Sequence, residues 1–110
     1  MGRYISTTGT ASTVLREISS AYNAEVNDRI IADSTGGAFT ITLPANSSLL
    51  INDTLQIIDA AGGANSNNIT VGRNGSLING DADDLVIDVN GAIITLLYTG
   101  ANYGWVITSS

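Results

Sequence analysis

Alternation of apolar and polar residues with a period of two dominates this chain. In AFTITLP (38–44), Phe39, Ile41 and Leu43 fall on one side and Thr40 and Thr42 on the other, which predicts a strand with one buried and one wet face. Pro44 lacks an amide donor and ends it. DTLQIIDA (53–60) sets Leu55 and Ile57 opposite Thr54 and Gln56. DLVIDV (84–89) points Leu85, Ile87 and Val89 inward and Asp88 the other way. NYGWVIT (102–108) aligns Tyr103, Trp105 and Ile107. AIITLLYT (92–99) is apolar on both sides apart from Thr95, as in a central strand covered on both faces or one whose outer face meets another subunit. DRIIAD (28–33) and NNITVG (67–72) bring the total to about seven or eight short strands.

Turn residues punctuate these runs: Asn-Gly at 74–75, 79–80 and 90–91, and Gly-Gly at 36–37 and 62–63. The pattern predicts an all-β fold, a compact antiparallel β-sandwich or small barrel of jelly-roll type. The first two dozen residues read differently. STTGTAST (6–13) has the small, polar composition of an extended arm. In TVLREISSAY (13–22), Val14, Leu15, Ile18 and Tyr22 suit a helix face, yet Val14 and Ile18 also flank Arg16 on one face of a strand. The β-branched content favours the extended form. The expected organisation is therefore an N-terminal arm over 1–24 followed by a β-sandwich domain over 25–110. Apolar residues on an arm are expected to find their cover on a partner.

Composition narrows the function classes. A chain of 110 residues with 44% hydrophobic content suits one domain with a modest core. No apolar run reaches the ~18 residues that span a bilayer, and MGRYISTTGTASTV has no apolar stretch of the kind a secretory signal needs. The formal charge of −6 is opposite to that of a nucleic-acid-binding surface, so neither nucleic acid nor membrane is an expected partner. Cysteine and histidine are absent, which removes the usual zinc and iron ligand sets and the Ser-His-Asp and Cys-His catalytic arrangements. The basic residues are all arginine, so a Walker A lysine is missing too. Carboxylates alone remain: Asp81, Asp83, Asp84 and Asp88, with Asp53 and Asp59. A glycosidase pair needs a groove that so small a domain rarely offers, and strand-edge aspartates are common turn formers. The expectation is a protein that is not an enzyme and takes no cofactor.

One stretch, ITVGRNGSLINGDADD (69–84), concentrates the remaining candidate chemistry. Against the calcium-loop pattern D-x-[DN]-x-[DN]-G begun at Asp81, the fifth and sixth positions are Leu85 and Val86, so the third ligand and the sharp turn are missing. An irregular calcium loop and an exposed acidic turn stay as two readings, the second favoured. Its Asn-Gly steps supply the positive φ angles that tight hairpins demand. Arg73, on a hairpin tip, is a candidate contact to a neighbour. Trp105 and Tyr103 would stack on a sugar if exposed, but Tyr-x-Trp-x-Ile on a terminal strand more often plugs a core.

The order of motifs says more than any one of them. DRIIADSTGGAFTITLPA (28–45), NDTLQIIDAAGGANSNNITVGRNGSLING (52–80) and LVIDVNGAIITLLYTGANYGWVI (85–107) together resemble a β-rich module of tailed-bacteriophage virion proteins, found in tail fibres and capsid-decoration proteins of cyanophages and other environmental phages. The likeness covers about residues 22 to 107, with Asn52 standing where the family generally has glycine. It implies a structural role in a virion, usually as a homotrimer, without enzymatic activity. A short arm and the lack of collagen-like repeats, heptads or a long β-helix favour a cement protein on the capsid exterior, its partner the major capsid protein, over a tail-fibre or tail-tip component that meets other tail proteins or a host surface glycan. On this reading the apolar face of Ile94 and Leu96 lies between subunits. The arm residues Arg3, Tyr4, Ile5, Val14, Leu15, Arg16 and Ile18 lie across the shell, with Arg3 and Arg16 pairing with its carboxylates.

Overall fold

The computed structural model describes residues 13–109. Among the described residues nine strands run in the order β1 (Val14–Ile18), β2 (Tyr22–Asn23), β3 (Asp28–Ala32), β4 (Phe39–Thr42), β5 (Thr54–Asp59), β6 (Ile69–Gly72), β7 (Leu85–Ile87), β8 (Ile93–Tyr98) and β9 (Trp105–Ser109). The only helical element among the described residues is a 3-10 turn at Asn46–Ser48. The strands form a five-stranded sheet, β1-β3-β5-β8-β9, and a four-stranded sheet, β2-β4-β6-β7.

The all-β class is the one expected; the antiparallel arrangement is not. β1–β3, β3–β5, β2–β4 and β4–β6 pair parallel, and only β5–β8, β6–β7 and β8–β9 pair antiparallel. The connections explain this. From β1 to β6 the chain crosses to the opposite sheet after every strand, so each returning strand runs in the direction of the one it joins. Parallel neighbours require such a crossover, which here is a strand of the other sheet. The result is a two-sided winding, with Val14 beside Asp28 and Arg29 beside Gln56 in the larger sheet, and Tyr22 beside Ile41 and Ile41 beside Val71 in the smaller.

β1 and β2 are extended, as the β-branched content implied, but they are built into the sheets. β1 pairs with β3 over its full length, and the Ala24 N–H donates to the Thr42 carbonyl at 2.8 Å. The expected boundary between arm and domain at residues 24 and 25 therefore coincides with no break in pairing. Residues 1–12, the rest of that arm, lie outside the described residues.

The inward faces of both sheets contribute to one cluster of buried side chains. Ile30, Ala32, Leu55, Ile57, Ile94, Leu96 and Trp105 come from the larger sheet, and Ile41, Ile69, Val71 and Ile87 from the smaller. Each large aliphatic side chain buried here contributes about 1.5–3 kcal/mol. Trp105 is fully buried and meets Tyr98 edge-to-face with ring centroids 5.5 Å apart, the core role expected of it. Ile94 and Leu96 face this core, so they are not the intersubunit face that the sequence reading assigned to them. Tyr103 does not join Trp105: the backbone turns at Gly104 (φ 69°) and leaves Tyr103 62% exposed. Val89 also lies outward, because β7 ends at Ile87 and the alternation stops there.

Two buried carboxylates fix the strand ends. Asp59, 2% exposed at the end of β5, accepts from the N–H groups of Gly63, Ala64 and Gly91 at 3.3, 3.1 and 3.0 Å. It thereby ties the turn after β5 to the turn before β8. Truncation would leave those donors without their acceptor, at about 1–3 kcal/mol for each one that stays buried and unpaired. Asp59→Ala is expected to lower unfolding free energy by roughly 3 kcal/mol in urea titrations; a loss within 0.5 kcal/mol, roughly that of an ordinary surface substitution, would contradict this role.

Candidate partner-binding surface

The segment 69–84 is a brace. Asn74 and Gly75 have φ of 49° and 90°, and Asn79 and Gly80 of 51° and 80°, the paired positive values of a tight two-residue turn. The Ser76 N–H donates to the Arg73 carbonyl at 3.1 Å, and Ile78 and Asp81 exchange bonds of 3.0 and 2.9 Å. At the third Asn-Gly step only Gly91 (φ 76°) is left-handed. The second hairpin is sewn to β9: Asn79 N–H donates to the Trp105 carbonyl at 2.7 Å, Trp105 N–H to the Leu77 carbonyl at 2.8 Å, and Ile107 N–H to Asn79 Oδ1 at 3.0 Å. A Cβ on Gly104 would collide with the Leu77 backbone, which explains glycine there.

Arg73 turns back on its own hairpin. Its Nη1 donates to the Ser76 carbonyl at 3.0 Å, and its N–H donates to Asp84 Oδ1 at 2.9 Å. Asp84 is thus a cap for the turn, and Arg73 is half-buried instead of reaching outward. Among the described residues no group of three His, Cys, Asp or Glu side chains is placed to hold a metal ion.

The other expected contact residues divide. Val14 and Leu15 are 40% and 61% exposed on β1, the outermost strand of the larger sheet among the described residues. Ile18 packs against the core. Arg16 is engaged within the chain: its Nε donates to Asp28 Oδ1 at 3.4 Å and its Nη2 lies 3.9 Å from Glu25. Buried Asp28 also accepts from the Tyr22 hydroxyl at 2.8 Å and the Glu25 N–H at 2.9 Å. Hydrogen bonding to Asp28 raises the Arg16 pKa, and burial followed by the Asp28 hydrogen bond pushes the Tyr22 phenol up to about 12. Arg3, Tyr4 and Ile5 lie outside the described residues.

What the sequence reading missed is the outward face of the larger sheet. Register places Glu17, Ile31, Ile58 and Ile93 side by side across β1, β3, β5 and β8. A second row runs Leu15, Arg29, Gln56, Thr95, with Gln56 Nε2 donating to Thr95 Oγ1 at 3.0 Å. A third joins Thr54, Leu97 and Val106. Two apolar rows thus flank a polar one, and Ile93 is 46% exposed. The smaller sheet supplies an internal comparison, for its outward rows are Thr40, Thr70, Val86 and Asn23, Thr42, Gly72. One face is dressed for water and the other is not. The signal was present in the doubly apolar AIITLLYT, but choosing which of its sides faces the core required the register with β5 and β9.

Comparison with protein-family models and with curated proteins finds no match.

The Tyr22–Asp28 contact has a pH signature. The folded phenol ionises at about 12 and an unperturbed one near 10, so the contribution is intact below pH 10 and falls as pH rises from 10 through about 12. Tyr22→Phe is expected to be about 1 kcal/mol less stable below pH 10 and to lose less stability than the parent across that window in thermal melts. Equal losses in the two proteins would show that another group governs the alkaline limb.

Proposed function

We propose that this chain is a structural protein of a tailed-bacteriophage virion, a capsid decoration protein that binds the outside of the assembled head as a homotrimer. The ordered motif set supports the class, and its pieces fall at structural corners: Asp28 opens β3, Leu43 and Pro44 follow β4, the Asn-Gly hairpin at 79–80 braces β9, and Trp105 fills the core. The observation that carries the reading toward assembly is the outward apolar row of Ile31, Ile58 and Ile93, set against the threonine-rich outer face of the smaller sheet. A strand face of this kind is ordinary when a second surface covers it. The two sheets are read as a small sandwich closed along one side, where the Leu77–Gly80 segment bonds to β9.

Mechanistically, a trimer that binds the assembled shell and not its free subunits stabilises the shell by mass action. Several attachment points per trimer raise the avidity without any new type of contact. A tail-fibre or tail-tip location is the second reading, favoured by one feature: the Tyr103 ring is 62% exposed beside Gly80, where it can stack on a sugar.

Antibody-labelled electron microscopy of virions is expected to place label on the head; label confined to the tail would overturn the decoration reading. In light scattering, Ile93→Glu is expected to shift the trimer to monomer while Thr70→Glu, on the outer face of the smaller sheet, leaves it intact. Both variants staying trimeric would remove the isoleucine row from the interface.

A further inference from the structure

Asn-Gly is a chemically fragile step. Glycine has no side chain to screen its amide nitrogen, so that nitrogen can reach the carboxamide carbon of the asparagine before it. The step occurs at 74–75, 79–80 and 90–91, and both residues of each pair are exposed. By sequence the three pairs have equal standing. In the fold they do not.

Ring closure puts the asparagine Cγ where the glycine N–H hydrogen was, so an N–H held in a hydrogen bond must first be released. The Gly80 N–H donates to the Tyr103 carbonyl at 2.9 Å, and the Gly91 N–H to buried Asp59 Oδ2 at 3.0 Å. The carboxamide oxygens of these two pairs are held as well. Asn79 Oδ1 accepts from the Ile107 N–H at 3.0 Å, and Asn90 Oδ1 from the Asn65 N–H at 2.8 Å. At the first pair, the Gly75 N–H donates to no group among the described residues. The Gly75 carbonyl accepts from Asn46 Nδ2 at 3.1 Å, which steadies the far side of the residue and leaves its nitrogen to solvent. The Asn74 side chain is tied through its amide nitrogen, Nδ2, which donates to the Leu43 carbonyl at 2.9 Å.

We propose that Asn74 is a modification site at which the folded protein deamidates spontaneously, ahead of the other two Asn-Gly pairs. The Gly75 nitrogen gives its proton to solvent base and bonds to Asn74 Cγ. The Cγ–Nδ2 bond breaks, and ammonia leaves with a proton from water. Water then opens the succinimide at one of its two carbonyls, leaving aspartate or isoaspartate. One water is consumed and one ammonia released, with no change of oxidation state. The product cannot keep the bond that Asn74 made, for a carboxylate has no hydrogen to donate to the Leu43 carbonyl. The 74–75 hairpin thereby loses this tie to the corner after β4, while the 79–80 hairpin keeps its bonds to β9. The site does not depend on the virion reading.

Incubating the full chain in mildly alkaline buffer and mapping its peptides by mass spectrometry reads each pair separately. Releasing two hydrogen bonds before reaction slows a pair by about tenfold or more. In the native protein Asn74 is therefore expected to convert about tenfold faster than Asn79 or Asn90, and in denaturing urea the three rates are expected to converge. Asn79 or Asn90 keeping pace with Asn74 in the native protein would overturn the proposal. So would an Asn74 that stays intact in the native protein under conditions that convert the unfolded one. The consequence has its own readout. Asn74→Asp is expected to lower the urea midpoint, while Asn79→Asp, whose carboxylate still accepts from the Ile107 N–H, stays near the parent. Equal midpoints for Asn74→Asp and the parent would overturn the loss of the Leu43 tie.

Discussion

Parallel strands that are neighbours in a sheet cannot be joined by a tight turn; the chain must leave the sheet and come back. In this protein the excursion is itself a strand, placed in the opposite sheet, and most of the architecture follows from that economy. Each crossing carries the chain over the shared core, so residues at alternate positions of both strands enter the same interior. The crossings also need fixed corners, and buried acids supply them. Asp28 opens β3 while holding Arg16, Tyr22 and the Glu25 amide, and Asp59 closes β5 while holding three amides from two turns. After β6 the winding ends in antiparallel pairs, and the Asn-Gly hairpin at 79–80 locks β9 against the turn before β7.

This division explains what the sequence could and could not disclose. Strand positions were legible because a period of two survives wherever one face is buried: Ile41, Leu55, Ile57 and Ile87 all lie inside as their spacing implied. The hairpins at 74–75 and 79–80 were legible because Asn-Gly is a local solution to a local backbone demand. Strand partners were not. Alternation states which side of a strand is dry, but it carries no record of whether the neighbour arrives through a hairpin or after a crossing. The antiparallel expectation failed for that reason. Val89 and Tyr103 were misplaced because a strand end and a left-handed glycine interrupt the alternation they were counted in.

The candidate surface was half legible. Two apolar sides of β8 announced a covered outer face, yet Ile94 and Leu96 were taken for it when they belong to the core, and Ile93 and Leu97 to the outside. Sequence alone holds no preference between two such sides; the register with Ile57 and Ile58 decides it. Arg16 and Arg73 show the complementary difficulty. An arginine beside a turn looks available for a partner, but Asp28 lies 12 residues from Arg16 in sequence, and Arg73 is absorbed by the carbonyl of its own turn. Leu15 and Val14 are the expected contacts that do stand at the surface.

The larger sheet thus has an apolar outer face that nothing in the described chain covers, while the smaller sheet presents threonines to water. On the function proposed above, copies of this protein cover that face for one another on a phage head. A cryo-electron microscopy reconstruction of the head tests it most directly. Trimeric density is expected at three-fold positions, with Ile31, Ile58 and Ile93 turned toward the neighbouring subunit. Trimers joined instead through Thr40 and Thr70, or a head that carries none of this protein, would contradict it.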